Sequence, residues 1–149
     1  MIANLNDRRV YADANVFIYA VEAHGAVSLA AQHILETVCD VTGLAHTSEP
    51  TLAEGLVQPL RRADGAVAEL YTGLLCESAH IVRMPITRSI LQDAARIRAE
   101  STQELPDAIH IASALQAGCG AFVSQDRRLR LPSPLEAVVP SELSSENKG

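Results

Sequence analysis

Val10 to Ala20 reads V-Y-A-D-A-N-V-F-I-Y-A, and the fold of the chain turns on how these eleven residues are read. Val10-Tyr11-Ala12 is too short for a helix and reads as a buried strand. The apolar pattern resumes over Val16–Val21 with no turn cluster between, so the strand runs almost directly into a helix. Asp13 then stands at the carboxyl end of the strand, the edge at which open α/β sheets bind their ligands. Asp is also a favoured helix N-cap, which is a purely structural use of the same residue.

The rest of the chain alternates in the same way. Val27, Ala30, Ala31, Ile34, Leu35 and Val38 form one helical face that ends near Gly43. Leu44–Thr47 is a short strand, and Pro50 suits the first turn of the next helix. Ala53, Leu56, Val57 and Leu60 are the expected buried stripe there, and Pro59 is expected to kink or end the helix. Asp64 can cap a further helix that buries Val67, Leu70, Tyr71, Leu74 and Leu75. Ile81-Val82 is a brief strand, and Ile90, Ala94 and Ile97 mark another helix before a polar loop over Glu100–Glu104. Pro106 opens a helix with Ala108, Ile111, Ala112 and Leu115 inside, closed by Gly118 and Gly120. Ala121-Phe122-Val123 is a buried strand, Val138-Val139 a last short one, and the tail is polar from about Ser144. Strands alternating with helices point to one α/β domain over residues 1–149, with a parallel sheet covered by helices on both faces.

Bulk properties narrow the function. With 48 % hydrophobic and 20 % charged residues the chain is an ordinary globular domain, and no apolar run reaches the ~18 residues of a membrane helix. The N-terminal stretch has no apolar signal core. Cys39, Cys76 and Cys119 show neither zinc spacing nor a disulfide pattern, so core positions in a reducing cytoplasm are expected. A net charge of −6 argues against nucleic acid, but two divalent cations would bring it to −2, and eleven of the twelve basic residues are Arg, the better phosphate fork. Aromatic residues are only 3 %, which argues against a base-stacking platform of the single-strand-binding type.

Three more acids occupy element ends. Glu54 lies about a turn into the helix after the second strand, Asp107 in the first turn opened by Pro106, and Asp126 just past Val123. Right-handed parallel connections put strand ends and the following helix starts on one edge, where such acids converge. Carboxylates in one cleft cannot all ionise cheaply. Hard cations such as Mg²⁺ or Mn²⁺ relieve the repulsion, and a pair of them suits phosphodiester hydrolysis.

Together D-A-N-V-F-I-Y-A (Asp13–Ala20), T-L-A-E-G-L (Thr51–Leu56), L-P-D-A-I-H-I-A-S-A-L (Leu105–Leu115) and V-S-Q-D-R-R-L (Val123–Leu129) resemble the successive motifs of PIN-domain ribonucleases, VapC-like toxins above all. The resemblance covers roughly Arg9 to Pro140. It implies a three-layer PIN-like fold and a Mg²⁺- or Mn²⁺-dependent endoribonuclease, with a homodimer inhibited by a VapB-like antitoxin. Asp13, Glu54, Asp107 and Asp126 match the acidic positions, Asp13 and Asp107 foremost as metal ligands, with Asp126 completing a second ion site and Glu54 acting on the metal directly or through water. Asn15 and Ser124 match the supporting polar positions. The family often has a hydroxyl residue after its first Asp; Ala14 stands here, which removes one supporting hydrogen bond.

Arg127, Arg128 and Arg130 follow Asp126 and are candidates for RNA phosphates or an antitoxin carboxylate. His46, His80 and His110 match no metal spacing and are expected in the core or at its edge. Two other functions fit less well. One is a PIN-fold binding module with little activity. The other is a small phosphate-ester hydrolase of the aspartyl-phosphate kind, against which Asn15 counts because those enzymes carry a second Asp there.

Overall fold

The structure, a computed structural model, describes residues 5, 8–22 and 25–146, the last three by backbone alone. Five short strands make one sheet: β1 (Arg9–Ala12), β2 (Ala45–Ser48), β3 (Ile81–Met84), β4 (Cys119–Val123) and β5 (Glu136–Val138). Their order is β3-β2-β1-β4-β5 and every pairing is parallel. Seven helices join or follow them among the described residues: α1 (Ala14–Glu22), α2 (Ala26–Thr42), α3 (Glu49–Arg61), α4 (Gly65–Thr72), α5 (Arg88–Glu100), α6 (Leu105–Gln116) and α7 (Pro140–Glu146). A π-helical turn, Gly73–Glu77, extends α4. None of these helices is long and apolar enough to cross a membrane.

The strand order reverses at β1, so the connections on either side of it leave in opposite directions. That reversal opens a crevice at the carboxyl ends of the strands. The period-2 alternation of β1 and β4 sends Val10, Ala12, Ala121 and Val123 to one face, where Val16, Phe17, Ile34 and Val38 of α1 and α2 cover them. Tyr11 and Phe122 go to the other face, against Ile111 and Ala114 of α6. Ile90 and Ala94 of α5 then seal the outside of α6. The three layers are thus helix, sheet and helix.

Several local expectations hold for the stated reasons. Gly43 takes φ +80° and donates its N–H to Cys39 O at 3.0 Å, ending α2. Asp64 caps α4, its Oδ1 accepting from Val67 N at 3.2 Å. Others need correction. Pro59 does not stop α3 at once; the helix runs on to Arg61, since only one donor is lost and the Pro59 carbonyl still accepts from Asp64 N at 2.8 Å. Gly118, at φ +74°, closes α6, but Gly120 belongs to β4, with the Arg8 side chain over it. Cys119 is buried, Cys39 half-buried and Cys76 exposed. The polar tail begins inside α7, and residues 147–149 lie outside the described residues.

The largest departure is the face of α3. Its buried row is Thr51, Gly55 and Pro59, not the expected Ala53, Leu56, Val57 and Leu60. Leu60 is 66 % exposed, and Leu70, expected inside α4, is 60 % exposed. Gly55 in this small row lets α3 lie directly on the ring of Tyr71, so Leu52 and Leu56 pack only at the edge of the core and Val57 and Leu60 remain outside. Tyr71 is fully buried and its hydroxyl donates to Glu22 Oε2 at 2.6 Å, which pins the ring. A Cβ at Gly55 would meet Tyr71 Cδ1 at 2.9 Å. Gly55→Ala should therefore destabilise the protein by about 1–3 kcal/mol, measured by denaturant unfolding; an unchanged midpoint would mean the ring is free to move aside.

Candidate active site

Asp13 follows directly on β1, and its backbone extends the ladder: Asp13 N donates to Val123 O at 3.1 Å. The side chain is 5 % exposed. Its Oδ1 accepts from Val16 N at 3.3 Å, so it does cap α1. Its Oδ2 accepts from Ser124 Oγ at 2.5 Å. The capping use weighed in the sequence is therefore present, and the second oxygen is held by Ser124 at the strand edge. Ser124 in turn accepts from Asp126 N at 3.1 Å. One hydroxyl thus joins the first and fourth acids through neighbouring strand ends.

Asp107 lies half-buried in the first turn of α6, where the helix dipole favours an acid. A polar cleft of about 300 Å³ separates it from Asp126, with Gln103, Glu104 and Arg128 also on its walls. Burial and the neighbouring Asp126 push the Asp107 carboxyl above its usual range. Burial likewise pushes Asp13 up, to about 6, with Asp107 adding repulsion and the Ser124 hydrogen bond opposing it. No arginine, lysine or histidine pairs with either acid among the described residues. Neither carboxylate is in an ion pair there, and His110 is the one neighbour that eases the charge of both.

The other two acids are already engaged. Arg128 donates to Asp126 Oδ1 from Nε at 3.1 Å and to Oδ2 from Nη2 at 3.3 Å, which holds that carboxyl below the usual range. Glu54 Oε1 is 3.2 Å from His110 Nε2. Accordingly, no three side chains of the ligating types are grouped to hold an ion among the described residues.

The remaining candidates are placed differently. Ser124 hydrogen-bonds to Asp13 and Asp126, whereas Asn15 is exposed on α1 and has no hydrogen bond to any of the four acids among the described residues. Arg127 reaches α7, with Nε 3.3 Å from Glu142 Oε1, and Arg128 is spent on Asp126. His110 is buried as expected, at 3 %, but it is joined to the site. Its spacing from Asp107, i to i+3, puts the two on one face of α6, a signal present in the sequence. Tyr11 and Ser48, which complete its hydrogen bonding, carried no such signal.

The folded Asp13 carboxyl titrates at about 6 against an ordinary 3.8. The folded state therefore binds this proton more tightly than the unfolded one, and its stabilising effect, full below about pH 4, is lost as pH rises through about 6. Metal-free wild type should fall behind Asp13→Asn by roughly 2–3 kcal/mol between pH 4 and 7. Unfolding curves across that range check this; parallel pH profiles would show that Asp13 is not held in this state.

Among curated protein sequences none matches the chain. In three dimensions it resembles VapC20 of Mycobacterium tuberculosis, a sarcin–ricin loop cleaving toxin. The TM-score is 0.68 and the identity 16 %, covering 80 % of this chain and 91 % of that one. It also resembles a toxin–antitoxin complex from Klebsiella pneumoniae, with TM-score 0.62, 18 % identity, and coverage of 88 % and 97 %. The family model for the PIN domain matches residues 10–132, a span that holds all four acids. The chain belongs to the PIN-domain family.

Proposed function

We propose that this PIN domain is a divalent-metal-dependent endoribonuclease, the toxin of a toxin–antitoxin pair. The observation that carries the reading is the pair Asp13 and Asp107, both pushed up by burial and neither paired with a cation among the described residues. The donors are all carboxylate oxygens, which fits Mg²⁺ or Mn²⁺ rather than a thiolate- or imidazole-seeking metal. Asp13 and Asp107 would hold one ion, and Asp126 with Glu54 would complete a second site once Asp126 parts from Arg128. Held by these residues, two such ions would supply activation of a water and neutralisation of the leaving oxygen of a phosphodiester. The chain's own part is orientation: Ser124 keeps Asp13 in place, and the first turn of α6 presents Asp107.

The toxin assignment draws on the two structural neighbours, a loop-cleaving toxin and a toxin–antitoxin complex. A groove of about 560 Å³ between α3 and α4, with Leu56, Leu60 and Ala68 on its walls, suits an apolar antitoxin segment of the VapB kind. Exposed Leu91 and Leu105, on the adjacent helices α5 and α6, suit a homodimer. Three free cysteines suit a reducing cytoplasm. A second reading, a binding module without turnover, draws on Arg128, which occupies one of the four acids internally.

The test gives RNA and Mn²⁺ to purified, antitoxin-free protein, with and without Asp13→Asn. Wild type should cleave and should unfold at a higher temperature with Mn²⁺. Asp13→Asn should lose the thermal shift and at least about 10²-fold in rate. Equal cleavage by the two proteins rejects the mechanism. A wild type that shows no thermal shift with Mn²⁺ and no cleavage favours the binding module.

A further inference from the structure

A chain of polar groups runs through the core beneath Glu54. Tyr11, on the central strand, is fully buried, and its ring stacks on Phe122 with centroids 5.2 Å apart and planes 16° apart. Its hydroxyl lies 2.7 Å from Ser48 Oγ and 2.7 Å from His110 Nδ1. Ser48 Oγ is itself 3.3 Å from the same nitrogen. The other imidazole nitrogen, Nε2, faces Glu54 Oε1 at 3.2 Å.

We propose that His110, anchored by Tyr11 and Ser48, is a positioning residue that fixes the Glu54 carboxylate at the cleft. The inference rests on the nuclease reading and adds to it residues outside the four acids. The core does not need this chain. Burying three polar side chains between sheet and helix costs free energy that an apolar trio would not incur. The hydrogen bonds offset that cost and leave one directional output, Nε2, aimed at a side chain that is 37 % exposed. An ionised carboxylate only accepts, so the Nε2 proton points at Glu54. A glutamate at the edge of solvent otherwise samples many rotamers, and this bond selects one of them.

The placement on α6 gives the bond its use. Asp107 and His110 share a face of that helix, so the spacing between Asp107 and the anchor of Glu54 is set by a rigid turn. The anchor also crosses from α6 to α3, joining two acids that arrive on different helices. An imidazole whose far nitrogen is locked is how ligating groups are commonly oriented, and breaking such a partner costs about 10–100-fold in metal affinity or activity.

His110→Phe keeps a ring and deletes both nitrogens. His110→Gln retains a donor for Glu54. Tyr11→Phe removes one anchor and leaves Ser48. Each is compared by Mn²⁺ calorimetry and by kcat and KM on RNA, alone and with Glu54→Gln. The ¹⁵N signal of His110 Nε2 is followed in metal-free protein. His110→Phe should lose about tenfold in Mn²⁺ affinity and in kcat at unchanged KM. His110→Gln should recover most of the loss, and Tyr11→Phe should show a smaller one. On top of Glu54→Gln, His110→Phe should add nothing.

An equal loss in that background, or no loss at all, overturns the inference. So does an Nε2 signal indifferent to Glu54→Gln, whatever the enzyme does. A wild type that neither binds Mn²⁺ nor cleaves RNA while the signal responds overturns the nuclease reading and leaves the His110–Glu54 link standing.

Discussion

Asp13 is kept out of water at the end of the central strand by one hydroxyl and one backbone N–H. Burial of a charge is expensive unless it is paired, and here the pairing is incomplete: two neutral donors and the nearby His110 on one side, a neighbouring anion on the other, and no ion pair. Everything at the cleft adjusts to that shortage. Ser124 gives its proton to Asp13 and takes the Asp126 N–H in return, so the turn after β4 is held by the demands of a residue on β1. Because β1 and β4 are adjacent and parallel, no movement of one strand end leaves the other unaffected.

Helix α6 serves the second demand. It is buried nearly all round, with the sheet on one side and α5 on the other. Such a helix cannot roll, so Asp107 is presented at a fixed angle, and its first-turn position lowers the cost of its charge there. Asp13 and Asp107 belong to different elements but share this rigidity, which is why their repulsion is not relaxed by moving apart.

Much of this is readable in the residues themselves. The short apolar runs ending in acid, at Ala12-Asp13 and Val123-Ser124-Gln125-Asp126, set both the parallel sheet and the edge at which acids gather. The strand periodicity is simple because both faces are buried. Helix α3 was less legible because its packing departs from the usual rule: glycine and proline face inward while Val57 and Leu60 face outward, a consequence of one tyrosine ring held by Glu22 on another helix. His110 was legible as buried but not as connected. Its partners Tyr11 and Ser48 lie 99 and 62 positions away in the chain, and no local pattern announces them. The three arginines after Asp126 look free in sequence, yet Arg128 folds back two residues and Arg127 reaches α7. Contacts of the second kind depend on the final fold.

The fork that Arg128 places on Asp126 also makes the cleft responsive to its medium. Arg128 is 91 % exposed in its side chain, so the attraction passes through water and dissolved ions screen it, over a Debye length of about 10 Å at 0.1 M ionic strength. In dilute buffer the guanidinium stays home and the fourth carboxylate is occupied. As ionic strength rises, that internal counter-ion loosens. An exposed pair of this kind is the part of the cleft that added salt weakens first.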